Sequence, residues 1–220
     1  MRLIQLYIIL ILTVFVSFKT QAQAIDAGIK AGVAASQISG DGYAGFNKAG
    51  IIFGGFAKIN LVDKHHIQFE ITYTQKGSRR NPRTSEGDND FFLLRLDYIE
   101  VPLIYQYDYK SFTFEAGPYI GALVNNYLED ENGVISLPPE LNQFKDFDIG
   151  ITAGCAFNLN EHIIMSWRFS NSLTPVRDFE SKDRLNNLQL GAGGLNRFNA
   201  GMFHSYISFS LHYKFGSING

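Results

Sequence analysis

The octet Ile67-Gln68-Phe69-Glu70-Ile71-Thr72-Tyr73-Thr74 alternates apolar and polar residues without a break. A period of two is that of an extended strand with one apolar and one polar face, and it cannot be laid on a helix of 3.6 residues per turn. The same alternation recurs over Ala27 to Ser36, Ile51 to Leu61, Ile99 to Tyr109, Phe112 to Val124, Phe147 to Leu159, Ile163 to Ser172 and His204 to Phe215. Eight strands are therefore expected. A content of 14% aromatic residues and 21 glycines favours strands and close backbone approach over helices.

The connections follow a rhythm of their own. Gln37 to Ala49 is long, Val62-Asp63-Lys64 short, Lys76 to Phe92 long, Asp108-Tyr109-Lys110-Ser111 short, Asn125 to Asp146 long, Asn158 to His162 short, and Asn171 to Phe203 longest. In an up-and-down sheet, successive connections lie at opposite ends, so all the long ones collect at one end. Long loops on one side and tight turns on the other are the organisation of outer-membrane barrels. The pattern predicts an all-β fold, an eight-stranded antiparallel up-and-down transmembrane β-barrel. Alternation alone does not say which face points inward. A soluble periplasmic lipocalin-like binding barrel, with its apolar face lining a cavity, stays open at this point. Strands near ten residues long and aromatics near strand ends (Tyr98, Tyr105, Tyr107, Phe112, Phe147, Trp167, Tyr213) weigh for the membrane barrel and its aromatic girdles.

The first residues read as an export signal. Arg2 precedes an apolar stretch from Leu6 to Phe18, and Ala22-Gln23-Ala24 has the form of a secretory cleavage site, with cutting after Ala22 or after Ala24. The alternative, a membrane anchor, needs a longer apolar run of roughly 20 residues. The expected domains are a signal peptide over residues 1–24 and a barrel over residues 25–220.

Gly28-Ile29-Lys30-Ala31-Gly32, Phe69 to Tyr73 leading into Lys76-Gly77, Asp97-Tyr98-Ile99-Glu100-Val101-Pro102-Leu103 and Ala116-Gly117-Pro118-Tyr119-Ile120-Gly121 occur in that order. The succession resembles the PorT-like outer-membrane β-barrel proteins of Bacteroidota, the outer membrane protein β-barrel domain group, over essentially the whole mature chain. The resemblance implies an eight-stranded barrel in the cell outer membrane. The namesake's association with a protein-secretion system attaches to no residue here. In one departure from the common barrel pattern, Gly216 to Gly220 follow the terminal aromatic Phe215.

On that reading Ile207, Phe209, Leu211, Tyr213 and Phe215 face lipid, and Ser208, Ser210, His212 and Lys214 face the lumen. The same register elsewhere turns Lys30, Lys58, Glu70, Lys76, Glu100, Glu115 and Arg168 inward. An eight-stranded barrel is only wide enough for side chains to fill it, so these groups are expected to form a paired polar plug; a narrow conduction path is the alternative. Gly28, Gly32, Gly117, Gly121, Gly150 and Gly154 are expected to make room for large lumenal side chains.

No catalytic, cofactor-binding or metal-binding set emerges. Arg168-Phe169-Ser170-Asn171 bears a distant similarity to a lipid A deacylase motif, but Arg168 occupies the position of the required histidine. His204 and Ser205 are adjacent, so a strand points them to opposite faces, out of the hydrogen-bond reach that a nucleophile and its base need. His65-His66 sits at a short turn. Cys155 is the sole cysteine, which excludes an internal disulfide and a thiolate zinc site. A net charge of −2 and the absence of a basic stripe argue against nucleic acid. Function is sought in the loops, where binding residues concentrate. Gly77 to Asp90 sets Arg79, Arg80 and Arg83 against Glu86, Asp88 and Asp90, and Val176 to Arg197 carries Arg177, Lys182, Arg184 and Arg197. The expected partners are outer-membrane lipid including lipopolysaccharide, the barrel-insertion machinery through the C-terminal strand, and an envelope protein through the long loops. The expected role is structural, adhesive or accessory to an envelope or secretion assembly, with a small pore or transporter as the rival.

Overall fold

Two tight turns, at Asp63-Lys64 and Lys110-Ser111, reverse the chain with Asp63 and Lys110 in the left-handed region (φ 46° and 58°). A third link, residues 159–162, is ordered by Asn160, whose Oδ1 accepts the backbone N–H groups of His162 and Ile163 at 2.9 and 2.8 Å. These three turns lie at one end of a β-sheet in the computed structural model, which describes residues 25–40, 45–82, 84–135, 144–178 and 201–218.

Eight long strands make the sheet: β1 Ile25–Ser39, β2 Lys48–Val62, β3 His65–Arg80, β4 Phe92–Tyr109, β5 Phe112–Asp130, β7 Phe147–Asn158, β8 Ile163–Ser172 and β10 Gly201–Ile218. Two-residue strands β6 (Gly133–Val134) and β9 (Arg177–Asp178) pair with β5 and β10 at the opposite, long-loop end, where a 3₁₀ turn, Thr84–Glu86, also lies. Each long strand pairs antiparallel with the next, and β10 returns to β1 from Ile25↔Ile218 to Ser39↔Phe203. The ring of eight is closed. Closure leaves no unpaired edge within the ring, which hydrocarbon requires of any spanning structure.

The faces decide between membrane and water. Along β3, Glu70 is 0% exposed between Phe69 at 44% and Ile71 at 54%. Ile29 and Val33 on β1, Ile51 and Phe53 on β2, Trp167 on β8, and Phe209, Leu211, Tyr213 and Phe215 on β10 also point outward and are exposed, with Ile207 half-buried. Lys30, Gln68, Thr72, Lys76, Ser208, Ser210 and His212 are buried inside. A soluble protein puts its large apolar groups inward and rarely exposes a continuous apolar surface. Here that order is inverted all round the wall, so the soluble lipocalin-like alternative falls and the apolar band is the lipid face.

The strands extend further toward the long loops than alternation predicted. Lys76 to Arg80, Phe92 and Asn125 to Asp130 are strand rather than loop, and Arg79↔Leu93 and Leu93↔Glu129 remain in register. A strand needs only its ladder partners to persist; the face pattern that marks it in sequence ends with the lipid. Two aromatics were also misplaced. Trp167, though outward, lies midway along β8 and not at a strand end. Tyr98 belongs to no girdle but is 0% exposed within the lumen, because outward Ile99 fixes its neighbour inward. The expected signal peptide, and Arg83, Lys182, Arg184 and Arg197, lie outside the described residues.

Candidate functional site: the lumenal plug

The interior is layered. At the short-turn end, His66 Nε2 lies 2.8 Å from Asp108 Oδ2, and Thr113 donates its hydroxyl to Asp108 Oδ1 at 2.6 Å. Lys214 Nζ is 3.8 Å from Asp26 Oδ2, and Lys58 stands opposite Asp26 in the β1–β2 ladder. Lys58 and Lys214 are only half-buried here, so they line the mouth and do not join the central ion pairs. The adjacent His65 packs against Tyr105 and Tyr107.

The middle layer is a network held by five strands, β1, β3, β4, β5 and β8. Arg168 on β8 donates Nε to Glu115 Oε2 at 2.7 Å and one Nη2 hydrogen to Glu115 Oε1 at 3.1 Å, and its Nη2 is 2.8 Å from Glu70 Oε1. Lys30 donates to Glu70 Oε2 at 2.8 Å, Gln68 to Glu70 Oε1 at 2.6 Å, Gln106 to Glu115 Oε1 at 2.7 Å, and Ser166 to Glu115 Oε2 at 2.8 Å. Two cations meet two carboxylates, and Glu70 takes three and Glu115 four charge-assisted contacts. That is the condition under which buried charge is tolerated. His212 lies just below, with Nε2 3.1 Å from Ser210 Oγ and its ring 5.4 Å from Phe56.

Glycines make this crossing possible. Glu115, Gly154 and Arg168 are laddered in series on β5, β7 and β8, and a Cβ on Gly154 would fall 2.9 Å from Arg168 Cγ. Likewise, a Cβ on Gly28 would meet the Phe56 ring, one on Gly121 Glu100 and Tyr98, and one on Gly150 the Tyr119 ring. At Gly32 and Gly117 the nearest contacts, led by Phe209 O and Leu103 O, include no large lumenal side chain.

The third layer, toward the long loops, centres on Lys76, which is fully buried. Its Nζ is 2.7 Å from Asp148 Oδ2 and 2.8 Å from Glu100 Oε1. The same ammonium stands 4.3, 5.2 and 5.3 Å from the ring centroids of Tyr98, Tyr119 and Tyr206, a cation–π cage. Tyr119 donates to Asp148 Oδ2 at 3.2 Å and Tyr206 to Glu100 Oε2 at 2.9 Å. Above it, Ile38, Leu94, Leu96, Tyr98 and Phe144 close the barrel as an apolar cluster, with Phe92, Leu123, Leu128 and Met202 packed against it.

Lys30, Glu70, Glu115 and Arg168 thus share one layer, and Lys76 and Glu100 another. Asp148, the tyrosine cage and the Gln68–Gln106 bridge were missed by sequence reasoning. Asp148 was findable: in Phe147-Asp148-Ile149-Gly150-Ile151-Thr152 it holds the small and polar register. The serine and histidine pairs weighed for catalysis do not converge. Ser170 donates to Thr152 Oγ1 at 2.8 Å, the buried His204 ring lies edge-on to Tyr98, and Ser205 accepts from Asn171 on another face. In the long-loop segment between β3 and β4, Arg80 pairs with Asp88 and Asp90 at 2.5 and 3.3 Å.

Comparison with solved structures finds small outer-membrane barrels. Neisserial surface protein A is 12% identical, with a TM-score of 0.49 over 86% of this chain and 97% of that one. Ail, the attachment invasion locus protein of Yersinia pestis, solved with the heparin analogue sucrose octasulfate, is 12% identical, with a TM-score of 0.46 over 88% and 99%. OprG of Pseudomonas aeruginosa is 12% identical, with a TM-score of 0.36 over 87% and 94%. No curated protein matches the chain. Residues 21–178 match the outer membrane protein beta-barrel domain, and the chain, an outer-membrane protein, belongs to that family.

Proposed function

We propose that this barrel is a closed, non-catalytic scaffold that anchors its long loops at the cell surface for a structural or adhesive contact, or as an accessory to an envelope assembly. The observation that carries the reading is the filled interior: two ion-pair layers spanning the lumen under an apolar lid of Ile38, Leu94, Leu96, Tyr98 and Phe144. A transporter of this size would need a continuous aqueous path, and an enzyme a nucleophile beside its base; neither has support among the described residues. The long-loop ends of β3, β4 and β5 add a polar wall beyond the lipid band, with Arg79, Arg80 and Arg95 beside Asp97, Glu129 and Asp130. Mixed charge of that kind suits contact with lipopolysaccharide headgroups or an envelope protein. In this reading β10, with its lipid-facing Ile207 to Phe215, is the strand that the insertion machinery engages, and kinship with the PorT-like proteins of Bacteroidota supplies the context.

Planar-bilayer recording of purified, folded protein tests the closed scaffold. Wild type is expected to give no discrete conductance steps, and Glu115→Ala, which unties Arg168, to give occasional flickering openings. Regular steps from wild type would overturn the reading in favour of a small pore.

A further inference from the structure

The two ion-pair layers differ in their charge balance. In the middle layer Lys30 and Arg168 match Glu70 and Glu115, two against two. In the outer layer Lys76 faces both Glu100 and Asp148 among the described residues, one cation against two carboxylates. Glu100 and Asp148 are 1% and 0% exposed, and the tyrosines around them are uncharged donors. His204 is the histidine beside Lys76, and among the described residues neither of its ring nitrogens has a hydrogen-bond partner. An uncompensated buried carboxylate is costly, by several kcal/mol in order of magnitude.

Between the two layers is a cavity of about 20 Å³ lined by Glu70, Glu100, Thr72, Thr74, Thr152 and Ser170, with further hydroxyls from Tyr119, Tyr206 and Ser208. Its two lining cations, Lys30 and Arg168, are spoken for by the middle-layer carboxylates. Thr74 Oγ1 borders this space, is 1% exposed and has no hydrogen-bond partner among the described residues, and neither has Asp148 Oδ1 in the layer above. An oxygen-rich chamber that borders a layer with one unmatched negative charge and holds a free hydroxyl has the chemistry of a hard-cation site. About 10–15 Å³ suffices for a water, so the space suits one small ion and excludes a quaternary ammonium.

The geometry points to a lumenal site for one small monovalent cation of the sodium or potassium class, between Glu100 and Thr74, that completes the charge of the outer layer. The ion is enclosed when the barrel closes, so it acts as a structural part of the plug. The inference does not depend on what the loops contact.

The test is urea unfolding and refolding of the mature chain in lipid vesicles at fixed pH and ionic strength, in sodium chloride, potassium chloride or choline chloride. The unfolding midpoint is expected to be higher in sodium or potassium than in choline, and to rise with the logarithm of that cation's concentration. Glu100→Gln removes the unmatched charge and should abolish the dependence. Should Glu100→Gln fail to fold, Thr74→Val removes one hydroxyl at nearly constant shape and should weaken the dependence several-fold. Identical midpoints in all three salts, with sensitivity to pH alone, would mean that a proton on the carboxylate pair balances the layer, and would overturn the proposal. An ion dependence undiminished in both variants would overturn it as well.

Discussion

Arg168 reaches across the bare backbone of Gly154 to grip Glu115 on the next strand but one, with hydrogen bonds of 2.7 and 3.1 Å. Both side chains are buried, and Glu115 also takes hydrogen bonds from Gln106 and Ser166. Removing one partner of such a pair leaves the other charge stranded, which typically costs about 3–5 kcal/mol. Glu115→Gln is therefore expected to destabilise the barrel by about that amount in urea unfolding from vesicles. The double substitution Glu115→Leu with Arg168→Met should recover most of the loss, because apolar groups of similar volume need no compensating charge. Equal damage from the single and the double change would contradict this account.

Gly154 makes a separate prediction. A methyl group there would lie 2.1 Å from Trp167 O and 2.9 Å from Arg168 Cγ. The first contact is backbone and cannot rotate away. Gly154→Ala should cost about 1–3 kcal/mol, in the usual range for overpacking a filled interior. The matching control is Ala153→Gly on the lipid face, which moves no neighbour and should cost less. A gel assay for heat-modifiable migration reads both variants, since each must still close the ring to migrate as folded protein.

What was legible in the sequence followed from strand geometry. Glu70 between Phe69 and Ile71 gives its face without reference to any partner, and so do Lys30 and Glu115. What was not legible depended on partners distant in the chain. Lys76 meets Asp148 across 72 positions of sequence, and the hydroxyl of Tyr206 reaches Glu100 across 106. Barrel closure and stagger set these pairings, and alternation contains neither. Tyr98 shows the limit from the other side: an aromatic near a strand end reads as girdle, yet its parity with Glu100 had already turned it inward. Lys58 and Lys214 share that parity too, but they sit so near the short-turn end that they reach the mouth instead of the plug.

The lipid face yields a depth test on β10. Leu211 is the middle of the five outward residues from Ile207 to Phe215 and is half exposed, while Phe215 lies by the short turns. A charge at mid-bilayer on a barrel's outer face costs about 2–4 kcal/mol, falling to about 0–1 near the interface. Leu211→Arg should therefore destabilise the folded barrel by about 2–4 kcal/mol, and Phe215→Arg by about 1 or less. The difference is measured by urea titration in vesicles. Costs equal at both positions would move the apolar band along the barrel axis.

Trp167 allows the same band to be located without destabilising anything. It is the chain's one tryptophan, is 61% exposed on the outer wall, and is laddered between Cys155 of β7 and Phe209 of β10. With the indole in hydrocarbon, emission should be blue-shifted in vesicles and strongly quenched by lipids carrying bromine midway along the acyl chain. Aqueous iodide should have little effect, since an anion does not enter the apolar layer. Lipids brominated close to the headgroup should quench less, because Trp167 pairs midway along β8, well away from both strand ends. Strong iodide quenching together with indifference to bromine would place this wall in water, and the outward assignment of Phe209 and Leu211 would then fail with it.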